Sequence, residues 1–182
     1  MTHSELVTLA YKWVVNNASC GFAFKELKTL NSGNEIPDVI GFGSWGHSVL
    51  IECKVSRSDF LGDHKKYHRQ PGKGMGKRRY YCCPVNIIKP EELPEGWGLI
   101  YERNGKLKVI VHPQREIVKE YGTRKEWIDH DRNIDSEWQM MYSALRRLAL
   151  RGRLNEIYEP FNVRDNEKLH IDSSTSEIDS EN

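Results

Sequence analysis

The stretch from His47 to Val55 reads as a continuous strand, with Val49, Leu50 and Ile51 in an apolar run that belongs in a core. It then ends in Glu52-Cys53-Lys54, an unusual finish for a buried strand. Residues two apart in a strand share a face, so Glu52 and Lys54 point together while Cys53 turns to the opposite side. An acid and a lysine emerging side by side where a core strand reaches the surface constrain both the fold and the chemistry.

The flanking sequence supplies a partner. Pro37 opens a short strand, Asp38-Val39-Ile40-Gly41-Phe42, which runs into the turn residues Gly43-Ser44-Trp45-Gly46. If the two strands pair as a hairpin, Asp38 comes level with the Glu52 and Lys54 end, because antiparallel partners meet head to tail. Two carboxylates and an ammonium would then converge. Hard oxygen ligands from Asp38 and Glu52, with the Cys53 backbone carbonyl, suit Mg²⁺, and Mn²⁺ would substitute. Lys54 could position or deprotonate a water and offset charge developing on a phosphate. The competing reading of Glu52 and Lys54 is an exposed ion pair worth ~0–1 kcal/mol.

The rest of the chain provides a scaffold. Thr2 to Glu5 reads as a capping box, and Leu6, Leu9, Ala10, Trp13 and Val14 predict a helix to about Asn17. Gly21 to Thr29 predicts a strand, closed by the turn Asn31-Ser32-Gly33-Asn34. Ser56 can cap a second helix from Arg57 to about Arg69, ended by Pro71. Gly72 to Arg79 reads as a flexible basic loop, and Tyr80 to Pro84 as a buried strand. Gly98 to Glu102 and Lys106 to Val111 make a final hairpin around Asn104-Gly105. Trp138, Met141, Tyr142, Leu145, Leu148 and Ala149 mark an apolar helix face expected to join the core. After Pro160 an acidic segment of Ser, Asp and Glu is expected to be a disordered tail, giving a domain over 1–160 and a tail over 161–182.

These elements resemble a known family. Pro37-Asp38 followed by Glu52-Cys53-Lys54, in an αβββαβ order, is similar to the PD-(D/E)XK nucleases. A closer likeness is to the MmcB-like DNA repair nucleases and their phage-encoded relatives. It rests on Glu26, Asp38, the run Glu52 to Phe60 with Asp63 and Lys65 after it, Tyr80-Tyr81 before Pro84, and Leu93 to Leu99, within residues 20 to 111. The resemblance implies a restriction-endonuclease-like α/β core, a central mixed sheet flanked by helices, with additional C-terminal helices. It also implies metal dependence and a nucleic-acid substrate, with DNA repair or phage biology as the setting. Many enzymes of this class work as dimers, so a homodimer is open. Glu5 is placed like the first-helix glutamate many of these nucleases use, although the capping box explains it equally well; Glu26 matches a first-strand acid, or is an exposed strand carboxylate.

Lys65, Lys66, Arg69, Lys73, Lys77, Arg78 and Arg79 follow the acid cluster closely, and contact with DNA phosphates is expected for several of them. Glycines in that loop would let backbone amides approach phosphates as well. His64 and His68, four apart on the predicted helix, lack a third zinc ligand and read as surface or DNA-facing residues. The formal charge of +1 averages an acidic tail with a modestly basic remainder. Four cysteines without a CxxC pair read as reduced thiols, and with neither a membrane-length apolar run nor a signal peptide a cytoplasmic protein is expected. Two other readings stay open: an RNA-directed nuclease, and a non-catalytic nucleic-acid-binding or inhibitory protein on the same fold.

Overall fold

A computed structural model describes residues 1–29, 35–119 and 122–159. The turn at Asn31–Asn34 and the acidic tail fall outside the described residues. The chain divides into two compact units, Met1–Ser143 and Ala144–Asn182, and the sheet and the candidate site belong to the first.

Helix α1 (His3–Asn17) starts where the capping box places it, with the Thr2 side chain accepting from Glu5 N–H and the Glu5 carboxylate accepting from Thr2 N–H. Strands β1 (Phe22–Lys25), β2 (Val39–Phe42) and β3 (Ser48–Cys53) follow, then helix α2 (Arg57–Asp63) and strand β4 (Arg78–Pro84). Strands β5 (Trp97–Arg103) and β6 (Lys106–Val111) complete a six-stranded sheet in the order β1-β2-β3-β4-β5-β6. The β3–β4 and β4–β5 pairs are parallel and the rest antiparallel, so the fold is a mixed α/β sheet with helices. Asn104 and Gly105 both take positive φ, 53° and 75°, the backbone that a tight hairpin with right-handed strand twist demands.

Strand alternation divides the core between the two faces of the sheet. Val39, Val49, Ile51, Cys53, Tyr80 and Cys82 pack with Leu6, Val7, Ala10 and Val14 of α1. Each fully buried Leu or Val there contributes about 1.5–3 kcal/mol over its exposed state. Gly41 permits the close approach of α1, since a Cβ at that position would lie 2.2 Å from Val14 Cγ1. On the other face Ile40, Leu50, Tyr81 and Leu99 pack with Phe60 of α2 and with Met75, Ile88 and Met140.

Several expectations need correction. The first strand covers only Phe22–Lys25, within the longer stretch expected. The second helix stops at Asp63, and Tyr67–Arg69 forms a separate short helical turn, so His64 and His68 do not share one helix. The β5–β6 hairpin is not the last, because β7 (Gln114–Lys119) and β8 (Gly122–Trp127) form a second, two-stranded sheet. In α3 (Ile134–Leu150) the buried residues are Ser136, Glu137 and Met140, whereas Trp138, Tyr142 and Leu145 are exposed. Polar anchoring overrides the apolar stripe there: the Glu137 carboxylate accepts from Ser48 Oγ, Gly76 N–H and Arg132 Nε at 2.8, 2.8 and 2.9 Å. Among the described residues, no helix is long and apolar enough to cross a membrane.

Candidate active site

The antiparallel register Val39↔Ile51 carries Asp38 to the Glu52 end of β3. Asp38 Oδ2 accepts the Cys53 backbone N–H at 2.7 Å, fixing the carboxylate against the strand. Glu52 and Lys54 share a face, with Lys54 Nζ 3.3 Å from Glu52 Oε2, while Cys53 turns into the α1 core. The structure therefore brings Asp38, Glu52 and Lys54 together. Nor is the pair an exposed one: Glu52 and Lys54 are only 4% and 2% exposed.

The electrostatics of the cluster are strongly perturbed. Burial, reinforced by the charge of Glu52, pushes the Asp38 carboxyl up to about 6, against the opposing pull of the Cys53 amide, His3 and Lys54. A half-buried Asp38 carboxyl raised in this way beside a second, buried carboxylate is a donor set suited to a divalent cation. For Lys54, burial favours the neutral amine, but the combined attraction of Glu52, Asp63 and Asp59 prevails and holds the ammonium above its ordinary range. Lys54 thus keeps its proton at neutral pH. In the metal-free protein its chemical competence is that of a fixed cation.

Sequence reasoning did not anticipate how Glu52 is held. Arg69 lies with its guanidinium buried among three carboxylates, 3.1 Å from Glu35 Oε1, 2.9 Å from Glu52 Oε2 and 2.5 Å from Asp63 Oδ2. The Lys54 and Arg69 contacts to Glu52 both fall on Oε2. Asp63 receives further donors from Lys54 Nζ at 3.0 Å, Lys66 Nζ at 2.7 Å and the Tyr81 hydroxyl at 2.7 Å. Burial alone would raise Asp63, but Arg69, Lys66 and Lys54 outweigh it and hold the carboxyl far below the usual range.

On the solvent side, His3 Nε2 stands 3.3 Å from Asp38 Oδ1 and 3.9 Å from Glu26 Oε1. One ligand atom from each of His3, Glu26 and Asp38 lies within 4.8 Å of the others. Glu26 is joined to the site through its backbone too, its N–H donating to Asp38 O at 3.1 Å. Glu5 is occupied differently, its carboxylate capping α1 at Thr2, and His3 is the α1 residue that faces Asp38. No periodic signal marks His3, since its role depends on where the first turn of α1 meets the start of β2.

The basic cluster separates into unlike members. The Arg79 side chain donates to Gly74 O, Gly76 O and Asp131 O, and Arg69 belongs to the carboxylate network, so neither is placed for phosphate contact. Lys66 bonds Asp63, Lys77 lies 3.1 Å from Asp129 Oδ2, and the Arg78 guanidinium stacks 4.0 Å from the Trp127 ring centre. Lys65, Lys66 and Lys73 are the exposed members. The loop is not loose either: Met75 is fully buried, and the amides of Met75, Gly76 and Lys77 donate to Glu35, Glu137 and Ser48. Those amides are thereby withdrawn from phosphate binding. Burial, with help from Arg69, pulls His68 down to about 4, so it is neutral at physiological pH.

No family profile and no curated protein matches the chain. Among solved structures, a protein of unknown function from Silicibacter pomeroyi, SPO1766, is similar at a TM-score of 0.51 and 17% identity, over 83% of this chain and 92% of that one. At this identity the likeness concerns the fold alone.

Proposed function

We propose that this chain is a divalent-metal-dependent nuclease of the PD-(D/E)XK type that hydrolyses phosphodiester bonds in DNA. The observation that carries the reading is the convergence of Asp38 and Glu52 from adjacent antiparallel strands, with the Lys54 ammonium held beside Glu52. The order α1-β1-β2-β3-α2-β4 matches the core that such a nuclease needs.

Asp38 and Glu52, with the Cys53 carbonyl, would hold Mg²⁺ or Mn²⁺, and His3 and Glu26 lie beside Asp38. A divalent ion bound there supplies Lewis-acid polarisation of a phosphate oxygen and a water of lowered pKa. The chain's own part is to fix charge. Lys54 presents a permanent cation toward charge developing on phosphorus, and Arg69 keeps Glu52 from rotating away. Exposed Lys65, Lys66 and Lys73 supply the general attraction to a polyanion.

Purified protein incubated with Mg²⁺ or Mn²⁺ and linear, nicked, branched or single-stranded DNA, or RNA, tests the reading directly. Metal-dependent DNA cleavage that Glu52→Gln abolishes is the expected result. Cleavage of RNA in preference to DNA would reassign the substrate, and binding without cleavage would make the protein a nucleic-acid-binding module.

A further inference from the structure

Resting on that nuclease reading, we propose that Asp63 is a positioning residue, which acts on the reaction through Lys54 by holding its ammonium beside Glu52. Lys54 reaches the site on a flexible stem that would otherwise carry its charge toward water. An ammonium has three protons, and Lys54 Nζ has three carboxylate neighbours: Asp63 Oδ1 at 3.0 Å, Glu52 Oε2 at 3.3 Å and Asp59 Oδ1 at 3.7 Å. The Asp63 contact is the shortest. Its side chain is fully buried, whereas that of Asp59 is 45% exposed and screened by solvent.

The surroundings of Asp63 are built to keep it still. Arg69 donates to both of its oxygens, Nε to Oδ2 at 2.5 Å and one terminal nitrogen to Oδ1 at 3.2 Å. The Tyr81 hydroxyl donates to Oδ2, with its ring stacked on Trp97 at 4.3 Å and set against Phe60 at 5.2 Å. Anchoring α2 to β4 would need only the Tyr81 bond. The rest of the network runs back to the reacting groups, because Arg69 and Lys54 each touch Asp63 and Glu52 at once. A fixed buried carboxylate thereby sets where the cation sits relative to the proposed metal ligand, and preorganised charge is what lowers a barrier.

The test is a double-mutant cycle read by single-turnover cleavage of DNA, with Mn²⁺ affinity and DNA affinity measured alongside. Asp63→Asn keeps the side-chain size but removes the charge and one acceptor oxygen. It should lower the cleavage rate about 10–100-fold while both affinities stay within about twofold, and it should add nothing in a Lys54→Ala background. Wild-type cleavage by Asp63→Asn, or an equal further reduction in the Lys54→Ala background, would overturn the inference. Should Asp63→Asn not fold, Tyr81→Phe, which withdraws one donor and keeps the ring, is read against the same cycle with a smaller expected fall. The Lys54 ammonium resonance gives a readout independent of catalysis: it should be protected from exchange in the wild type and lose that protection in the Asp63 variant. If the wild type cleaves nothing, the nuclease reading fails and this resonance decides whether Asp63 holds Lys54; unchanged protection in the variant then overturns the positioning role as well.

Discussion

Lys54 is the residue whose removal best separates charge stabilisation from metal binding. Lys54→Ala should leave Mn²⁺ titration nearly unchanged and reduce cleavage on the order of a hundredfold or more. Because Lys54 is buried against Glu52 and Asp63, its loss should also lower the melting temperature, since removing one partner of a buried pair typically costs about 3–5 kcal/mol. Asp38 behaves in the opposite sense. Its folded carboxyl titrates near 6 against an ordinary value of 3.8, so its contribution to stability is complete below 3.8 and is lost as pH rises through about 6. Asp38→Asn, which keeps an acceptor for the Cys53 amide, should therefore stabilise the metal-free protein at pH 8 by on the order of 1 kcal/mol and change little at pH 4. Urea melts at the two pH values check this, and equal effects at both would refute it. Asp38, Glu52 and Lys54 were legible in the sequence because strand periodicity and hairpin geometry operate over short distances. The partners Glu35, Arg69 and His3 were not, because only folding brings them within reach.

Among the elements, the basic segment behind α2 departs furthest from its sequence. Three glycines and several cations suggest an open phosphate-binding loop, but Met75 in its middle fills the core. The sequence cannot declare that its amides answer to Glu35, far upstream, and Glu137, far downstream. Binding tests should divide accordingly. Lys65→Ala with Lys73→Ala should weaken DNA binding uniformly across sequences and reduce the salt slope by up to about 0.9 for each phosphate that is no longer neutralised. A steep, unchanged slope would remove both residues from the interface. Arg79→Ala should instead loosen the segment, because Gly76 O loses its side-chain donor while Gly74 O and Asp131 O keep only the Asn133 and Gly72 amides; the destabilisation should appear in thermal melts, by roughly 1–3 kcal/mol, before any change in DNA affinity. The strands β2 to β6 follow from alternation and turn chemistry. The end of α2 does not, since inward-facing Asp63 and Arg69 draw the chain off the helical path that periodicity extends to Pro71.

The molecule as a whole should respond to pH and metal together. Burial pushes Glu35 up to about 7, against the Met75 amide and Arg69, so Glu35, like Asp38, withdraws stability as pH rises toward neutrality. Asp63 does the reverse: its folded carboxyl lies below the ordinary 3.8, so its stabilisation is present above that value and is lost on further acidification. The metal-free protein should thus be most stable in mildly acid solution, which a series of thermal melts would establish. Adding Mn²⁺ at pH 8 should raise the melting temperature of the wild type, by about 2.7 kcal/mol at a hundredfold excess over Kd, and leave Asp38→Ala unmoved. The sheet order has a further consequence, for how the chain comes to be folded. Every strand from β1 to β6 lies beside its neighbour in sequence; the antiparallel β2–β3 and β5–β6 pairs close short loops at little cost in entropy, whereas the parallel β3–β4 pair must close the long crossover through α2. As the chain lengthens during synthesis, β1 to β5 can add one after another in the order in which they appear. Glu137 arrives late, with its carboxylate for Ser48 and Gly76, so the last step of assembly is a latch closing over a sheet already laid down. The rate of refolding should accordingly be set by closing the β3–β4 crossover, with Glu137→Gln mainly speeding unfolding in stopped-flow measurements.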